Sequence, residues 1–365
     1  MIRKISLTTK LQIFKKITTQ TQPTQFFLPN LISYLFPSYL NRSLNYQLID
    51  LENSTSQLIK MDTYNSNIDS TTTPTANLND SNFKYEEIPS QEHPEPLKVN
   101  VNQKKEILLS GGAGAISFQA GYMHGLSEII PLEVLKEYRV GGVSAGACVA
   151  GFFVFSLYSK HDMKYWYEKC IRKLLNVVSN STFGFWQTTS LLSELAASSY
   201  RIALECGVPL DEAFHCYVSL RSGLIGYKKH LVDKFTSEQQ FAEAISCTCT
   251  IPFVTSFSFS NTYQGKKAVD GGVTMGIPFR NKDSECIFLN VLPKPFRSYP
   301  IIRDFPNHLT TIDIAEDYNL VFPTDYWLWD EQNADKQFVQ GYLAAKHQQD
   351  KLLKAFNLDV KLQAE

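Results

Sequence analysis

Residues 138–155 read YRVGGVSAGACVAGFFVF. A short apolar run meets a cluster of glycine, serine and alanine, then leaves as a second apolar run that suits a helix. Inside it, Gly142-Val143-Ser144-Ala145-Gly146 is G-x-S-x-G between an expected strand and an expected helix. A serine on so sharp a turn is held in a strained backbone position, and small neighbours let the turn close. Its hydroxyl then projects above the sheet, with a helix N-terminus placed to stabilise developing negative charge. The bland alternative is a glycine-rich helix start capped by Ser144.

The pattern occurs once before. KEILLSGGAGAISFQAGYMHGL at 105–126 also runs from an apolar strand through glycines into a helix. Bare N–H groups at such a turn suit a negatively charged ligand. A dinucleotide fits poorly: Gly112 and Gly114 match G-x-G-x-x-G, but Ser117 holds the third glycine place. The next strand also ends in Gly142-Val143-Ser144, with no acid for a ribose. A Walker loop needs G-K-[ST], and the chain has none. The loop is better explained as backbone donors aimed at an oxyanion near Ser144.

From about residue 104, strand-like and helical stretches alternate. EILLS (106–110), YRVGGVS (138–144), KKAVD (266–270) and ECIFLNVL (285–292) read as strands. Helices are expected from about Phe118 to Ile130, on to about Lys160 after the serine turn, and from about Asn333 to Phe356. Ser237-x-x-Gln240 is a capping-box signature opening another, through Ile245. The fold class is therefore α/β, a mostly parallel central sheet flanked by helices, with the serine on a strand–turn–helix elbow.

Four zones are expected. Residues 1–49 contain no Asp or Glu but carry Arg3, Lys4, Lys10, Lys15, Lys16 and Arg42. This resembles a mitochondrial or plastid transit segment; the alternative is a disordered basic tail touching anionic membrane. FFLPNLISYLFPSYL (26–40) is broken by Pro29 and Pro37 and is too short to span a bilayer. Residues 50–103 are polar and read as a disordered linker. Residues 104–300 form the expected catalytic domain and 301–365 a C-terminal helical extension.

The chain has 365 residues, 44% hydrophobic and 19% charged, so it can bury a sizeable core. A net charge of -1 argues against broad nucleic-acid binding. Seven scattered cysteines read as reduced thiols of an intracellular protein, and Cys247-x-Cys249 has no second pair to make a zinc site. No metal or cofactor is expected.

A serine nucleophile needs a proton acceptor. His308 and His347 follow Ser144, and Asp270 or Asp304 could orient either, but neither histidine sits in a sharp loop after a clear core strand. Asp270 ends KKAVD and is followed at once by Gly271-Gly272. Two residues with almost no bulk let the carboxylate approach another loop closely, and burial beside a hydroxyl would suit it to act as a base. Taken alone, the motif is better explained as an Asp-Gly turn between two strands.

Taken together, the glycine loop, G-x-S-x-G and D-G-G resemble the patatin-like phospholipase family over roughly residues 105–292. AISCTCTIPFVTSF (244–257) is similar to the family's small-residue stretch before the D-G-G strand. SELAASSYRIALECGVPLDEAFHCYVSL (193–220) resembles its helical passage leading back into the sheet. The resemblance implies a Ser–Asp dyad without a catalytic histidine. Ser144 would be the nucleophile, Asp270 its proton acceptor, and the N–H groups of Gly111, Gly112, Ala113 and Gly114 the oxyanion hole. It also implies carboxylic esters of glycerolipids as substrate, met at a membrane or lipid-droplet surface. The first loop departs from the family's G-G-G-x-R-G, with Ala113 in a glycine place, Ala115 for arginine and Ile116 for the last glycine. Because a β-branched residue resists positive φ, Ile116 is expected to distort the loop. The alternative is therefore a lipid-binding protein of the same fold with impaired turnover. The aromatics Phe118, Tyr122, Phe152, Phe153, Phe155 and Tyr158 are expected to divide between sheet packing and an acyl groove. SFSFSNTYQGKK (256–267) reads as a strand pair or part of the substrate mouth, and FPTDYWLWD (322–330) as a lipid-interface loop or a flap on the core.

Overall fold

The parallel strands are short, apolar and buried along nearly their whole length, as strands covered on both faces must be. β1 (Lys105–Leu109) pairs in parallel with β2 (Arg139–Gly142) on one side and β7 (Glu285–Asn290) on the other. β7 pairs in parallel with β8 (His308–Asp313), and β2 with the start of β3 (Phe214–Ser222). Beyond that start, β3 pairs antiparallel with β4 (Gly226–Val232) and β6 (Lys266–Asp270), and β6 with β5 (Asn261–Tyr263). The order β5-β6-β3-β2-β1-β7-β8 is thus a parallel sheet with an antiparallel margin.

This computed structural model describes residues 101–358 apart from 181–183, 223–225, 253, 257, 275–276, 293–304, 319, 321–323 and 328–330. The expected basic segment 1–49, nearly all of the linker 50–103, Asp304 and much of FPTDYWLWD lie outside the described residues. The described residues fall in one compact unit, 91–365.

α1 (Ile116–Ile129) follows β1 and α2 (Ala145–Tyr158) follows β2; in α2 only Ser156 escapes full burial. Its aromatic and aliphatic side chains fill the core under the sheet. α3 (Arg172–Asn180) and α4 (Gly184–Glu205) pack on each other, and α5 (Glu238–Thr248) packs on α4, β3 and the β5–β6 hairpin. Ser237 caps α5 as expected, accepting from Gln240 N–H at 3.2 Å, and the helix continues past Ile245 to Thr248. The C-terminal helical stretch is two helices, α6 (Glu331–His347) and α7 (Gln349–Ala355). α6 docks on α1 through reciprocal glycines: a Cβ on Gly121 would lie 1.9 Å from Phe338 O, and one on Gly341 2.0 Å from Phe118 O. No described helix is long and apolar enough to cross a membrane.

Candidate active site

Ser144 has φ 55° and ψ −135°, a backbone conformation that costs an L-residue about 1–3 kcal/mol. Its neighbours explain how the turn is held. A Cβ on Gly142 would lie 2.3 Å from Gly146 O, and one on Gly146 2.3 Å from Ser110 O, so both glycines of G-x-S-x-G are steric requirements. Ser144 N–H donates to Thr248 Oγ1 at 3.0 Å, and Thr248 in turn donates to Tyr217 O at 2.6 Å. The elbow is thereby tied to β3. Ser144 does not cap α2 with its side chain, so its hydroxyl is not spent on the helix end.

Asp270 ends β6 and is 4% exposed. Its N–H donates to Thr250 O at 2.9 Å, and its Oδ1 accepts from Gly272 N–H at 2.7 Å. Gly271 must lack a side chain, since a Cβ there would lie 2.2 Å from Tyr217 O and 2.7 Å from Val143 Cγ2. Burial pushes the Asp270 carboxyl up to about 6, against the opposing pull of the Ser144 hydroxyl and Gly272 N–H. Oδ2 is buried without a hydrogen-bond partner at bonding geometry. The Ser144 hydroxyl therefore lies within reach of the Asp270 carboxyl, whose Oδ2 is left for a further hydrogen bond. An acid poised near neutrality beside a strained serine can take and return a proton.

Residues 107–281 match the model of the patatin-like phospholipase family. The chain carries a patatin-like phospholipase domain. It is 27% identical over 169 residues to the omega-hydroxyceramide transacylase of Homo sapiens, a match covering 45% of this chain and 30% of that protein. The Mus musculus protein of the same name is 28% identical over 168 residues, covering 45% of this chain and 26% of its own length. The chain thus spans less than a third of these relatives. VipD from Legionella pneumophila aligns over 72% of this chain and 71% of its own, with 10% identity and a TM-score of 0.33. The heterodimeric ExoU–SpcU complex from the type III secretion system of Pseudomonas aeruginosa aligns over 70% and 52%, with 12% identity and a TM-score of 0.31.

In the patatin-like domain the first glycine loop lies against the elbow. A Cβ on Gly111 would come 3.2 Å from Ser144 Cβ. Among the described residues no hydrogen bond occupies the N–H of Gly111 or Gly112, while Ala115 N–H closes the turn on Gly112 O at 2.9 Å. Gly112 packs towards Val291, and Gly114 is buried in the short 3-10 turn Ala113–Ala115. The expectation for Ile116 is corrected: it begins α1 at φ −54° and ψ −38°, where a β-branched residue is unstrained. The left-handed residue of the loop is Ala113, with φ 45°. Ala113, Ile116, Ser144 and Ala145 line a small apolar pocket, partly open to solvent, together with Leu174, Leu175, Leu192 and Ile251.

No described histidine bonds to Ser144 or Asp270. His308 is exposed and opens β8 beside Glu285, at the N-terminal end of β7, whereas Ser144 lies past the C-terminal end of β2. His347 is exposed at the end of α6 and stacks on Tyr318. His215 is fully buried with both nitrogens occupied: Arg139 Nε donates to Nδ1 at 3.3 Å, and Nε2 donates to Pro278 O at 2.8 Å. Burial pushes it down to about 3, so it stays neutral.

Residues to which the sequence assigned no individual role complete the site. Thr248 and Thr250 hold the two facing residues, and the Cys148 and Cys249 thiols meet at 3.5 Å in the pocket wall. A threonine in AISCTCT carries no local signal; only the pairing of α5 with the elbow gives it this role. SFSFSNTYQGKK supplies the β5–β6 hairpin. In FPTDYWLWD, Tyr326 is buried and donates to Val291 O at 2.6 Å, which fits a flap on the core.

Proposed function

We propose that this chain is a serine acyl hydrolase of glycerolipid esters, working through Ser144 and Asp270 at a membrane or lipid-droplet surface. One observation carries the reading: a serine held at positive φ over an apolar pocket, facing a buried carboxyl whose pKa lies near 6. In the first half-reaction Ser144 Oγ attacks the ester carbonyl as its proton passes to Asp270. The negative oxygen is met by N–H groups of the loop at Gly111, Gly112, Ala113 and Gly114, and by that of Ala145 at the first turn of α2. Collapse expels the alcohol, which takes the proton back from Asp270. Water then gives one proton to Asp270 as its oxygen attacks the acyl-enzyme, and Asp270 passes that proton to Ser144 Oγ as the C–O bond to the serine breaks and the fatty acid leaves.

The name of the two relatives supports a second reading, in which an alcohol replaces water as acceptor. Both readings share the acyl-enzyme. A fluorophosphonate probe, which reacts with an activated serine, tests that shared step. We expect stoichiometric labelling of the full chain and none of Ser144→Ala. Labelling of a folded Ser144→Ala protein at the wild-type rate would remove the assignment.

A further inference from the structure

Ser110, the residue after β1, leaves the parallel ladder by exchanging a backbone bond for a side-chain one. Its N–H donates to Leu289 O at 3.2 Å, as a strand residue would. In a parallel ladder the next bond would run from Val291 N–H to the Ser110 carbonyl. The Ser110 hydroxyl takes that bond instead, Val291 N–H donating to Oγ at 2.9 Å. The freed carbonyl turns to Gln119 on α1, whose Nε2 donates to it at 2.7 Å. It also abuts the first turn of α2, where a Cβ on Gly146 would lie 2.3 Å from it.

Gln119 is fully buried. Because Nε2 serves the carbonyl, Oε1 is turned the other way, where it is buried without a hydrogen-bond partner. It stands 3.7 Å from where a Gly112 Cβ would lie. A buried amide satisfied at one end only costs stability, so packing alone does not account for it. Its bond to Ser110 does more than pair a carbonyl. The C=O and N–H of one trans peptide point in opposite directions. Whatever holds Ser110 O therefore also fixes the direction of Gly111 N–H. Gly111 lies against the nucleophile, its absent Cβ 3.2 Å from Ser144 Cβ and 3.8 Å from Ser144 Oγ.

We propose that Gln119 is a positioning residue, which aims Gly111 N–H at the oxyanion by holding the Ser110 carbonyl. The proposal rests on nucleophilic attack by Ser144.

The test compares the full chain with Gln119→Met and Gln119→Glu on a soluble butyryl ester. Gln119→Met fills the space but donates no hydrogen bond, and should lose at least about tenfold in kcat with KM within about twofold. Gln119→Glu keeps the shape, and serves alone if Gln119→Met does not fold. Its carboxyl donates to Ser110 O while protonated, which burial favours, and cannot once ionised. Divided by the wild-type value at each pH, its kcat should be highest at low pH and drop by at least about tenfold as the new carboxyl ionises. Wild-type kcat in folded Gln119→Met, or a ratio for Gln119→Glu that does not change with pH, would overturn the proposal. A purely structural role predicts that constant ratio, with a lowered melting temperature. If the wild type hydrolyses no ester, the rate of fluorophosphonate labelling replaces kcat, because attack on phosphorus also builds charge on an oxygen in the loop. Equal labelling rates in the wild type and both variants then overturn the role of Gln119 and leave that of Ser144 standing. A wild type that neither hydrolyses nor labels overturns both.

Discussion

Gly142, the last residue of β2, and Asp270, the last of β6, lie on the same edge of β3, opposite Cys216 and Val218. β4 occupies the other edge from Cys216 to Ser222, so the two strands must share this one and point at each other. Two residues of β3 separate their ends, about 7 Å at strand spacing. Ser144 turns upward two residues after Gly142, which sets it in front of Asp270. The facing pair is thus a consequence of sheet register, with Gly271 letting the β6 end close against Tyr217 and Val143.

The rate should have an acid limb set by Asp270. The carboxyl must be ionised to accept the Ser144 proton, and burial holds it near 6. Hydrolytic kcat/KM, measured between pH 4 and pH 9, is expected to fall about tenfold per unit below about pH 6. An acid limb near the ordinary aspartate value of 3.8 would contradict this.

The same carboxyl weakens the fold. It holds its proton more tightly in the folded chain, near 6, than in the unfolded one, near 3.8, so its ionisation opposes folding. That penalty is absent below about pH 4 and complete above about pH 6. Asp270→Asn should therefore be inactive yet more stable by about 1–3 kcal/mol at pH 8, with the gain vanishing at pH 4. Denaturant unfolding at both pH values checks it.

Strain at the elbow makes a parallel prediction. Ser144→Ala keeps a side chain at φ 55° and so keeps the strain. Ser144→Gly releases it, partly offset by the freer unfolded chain, and should be more stable than Ser144→Ala by about 1 kcal/mol. Thermal melts of the two inactive variants give the comparison.

Thr248 is a positioning residue. Thr248→Val removes the acceptor for Ser144 N–H without changing side-chain shape, leaving a buried donor unpaired at about 1–3 kcal/mol. We expect kcat to fall at least about fivefold with KM nearly unchanged, and Thr248→Ser to restore most of it. A merely structural role would lower melting temperature without this split.

Strands and glycine turns were legible in the sequence because local demands fix them. KKAVD is β6 residue for residue, and G-x-S-x-G marks two glycines that have no room for a Cβ. The Ile116 expectation failed because α1 begins there, two residues earlier than Phe118 suggested, and the positive φ falls on Ala113. Thr248 and Cys148 had no local signature that assigned them a role. Each depends on how α5 and α4 come to lie beside α2, which is a tertiary fact.

The most direct test is fatty-acid release from a mixed glycerolipid panel by the full chain, beside Ser144→Ala of matched fold. The account predicts release by the wild type that vanishes in the variant. Release that persists in Ser144→Ala would contradict it, and so would a folded wild type that releases nothing and transfers no acyl group to added alcohols.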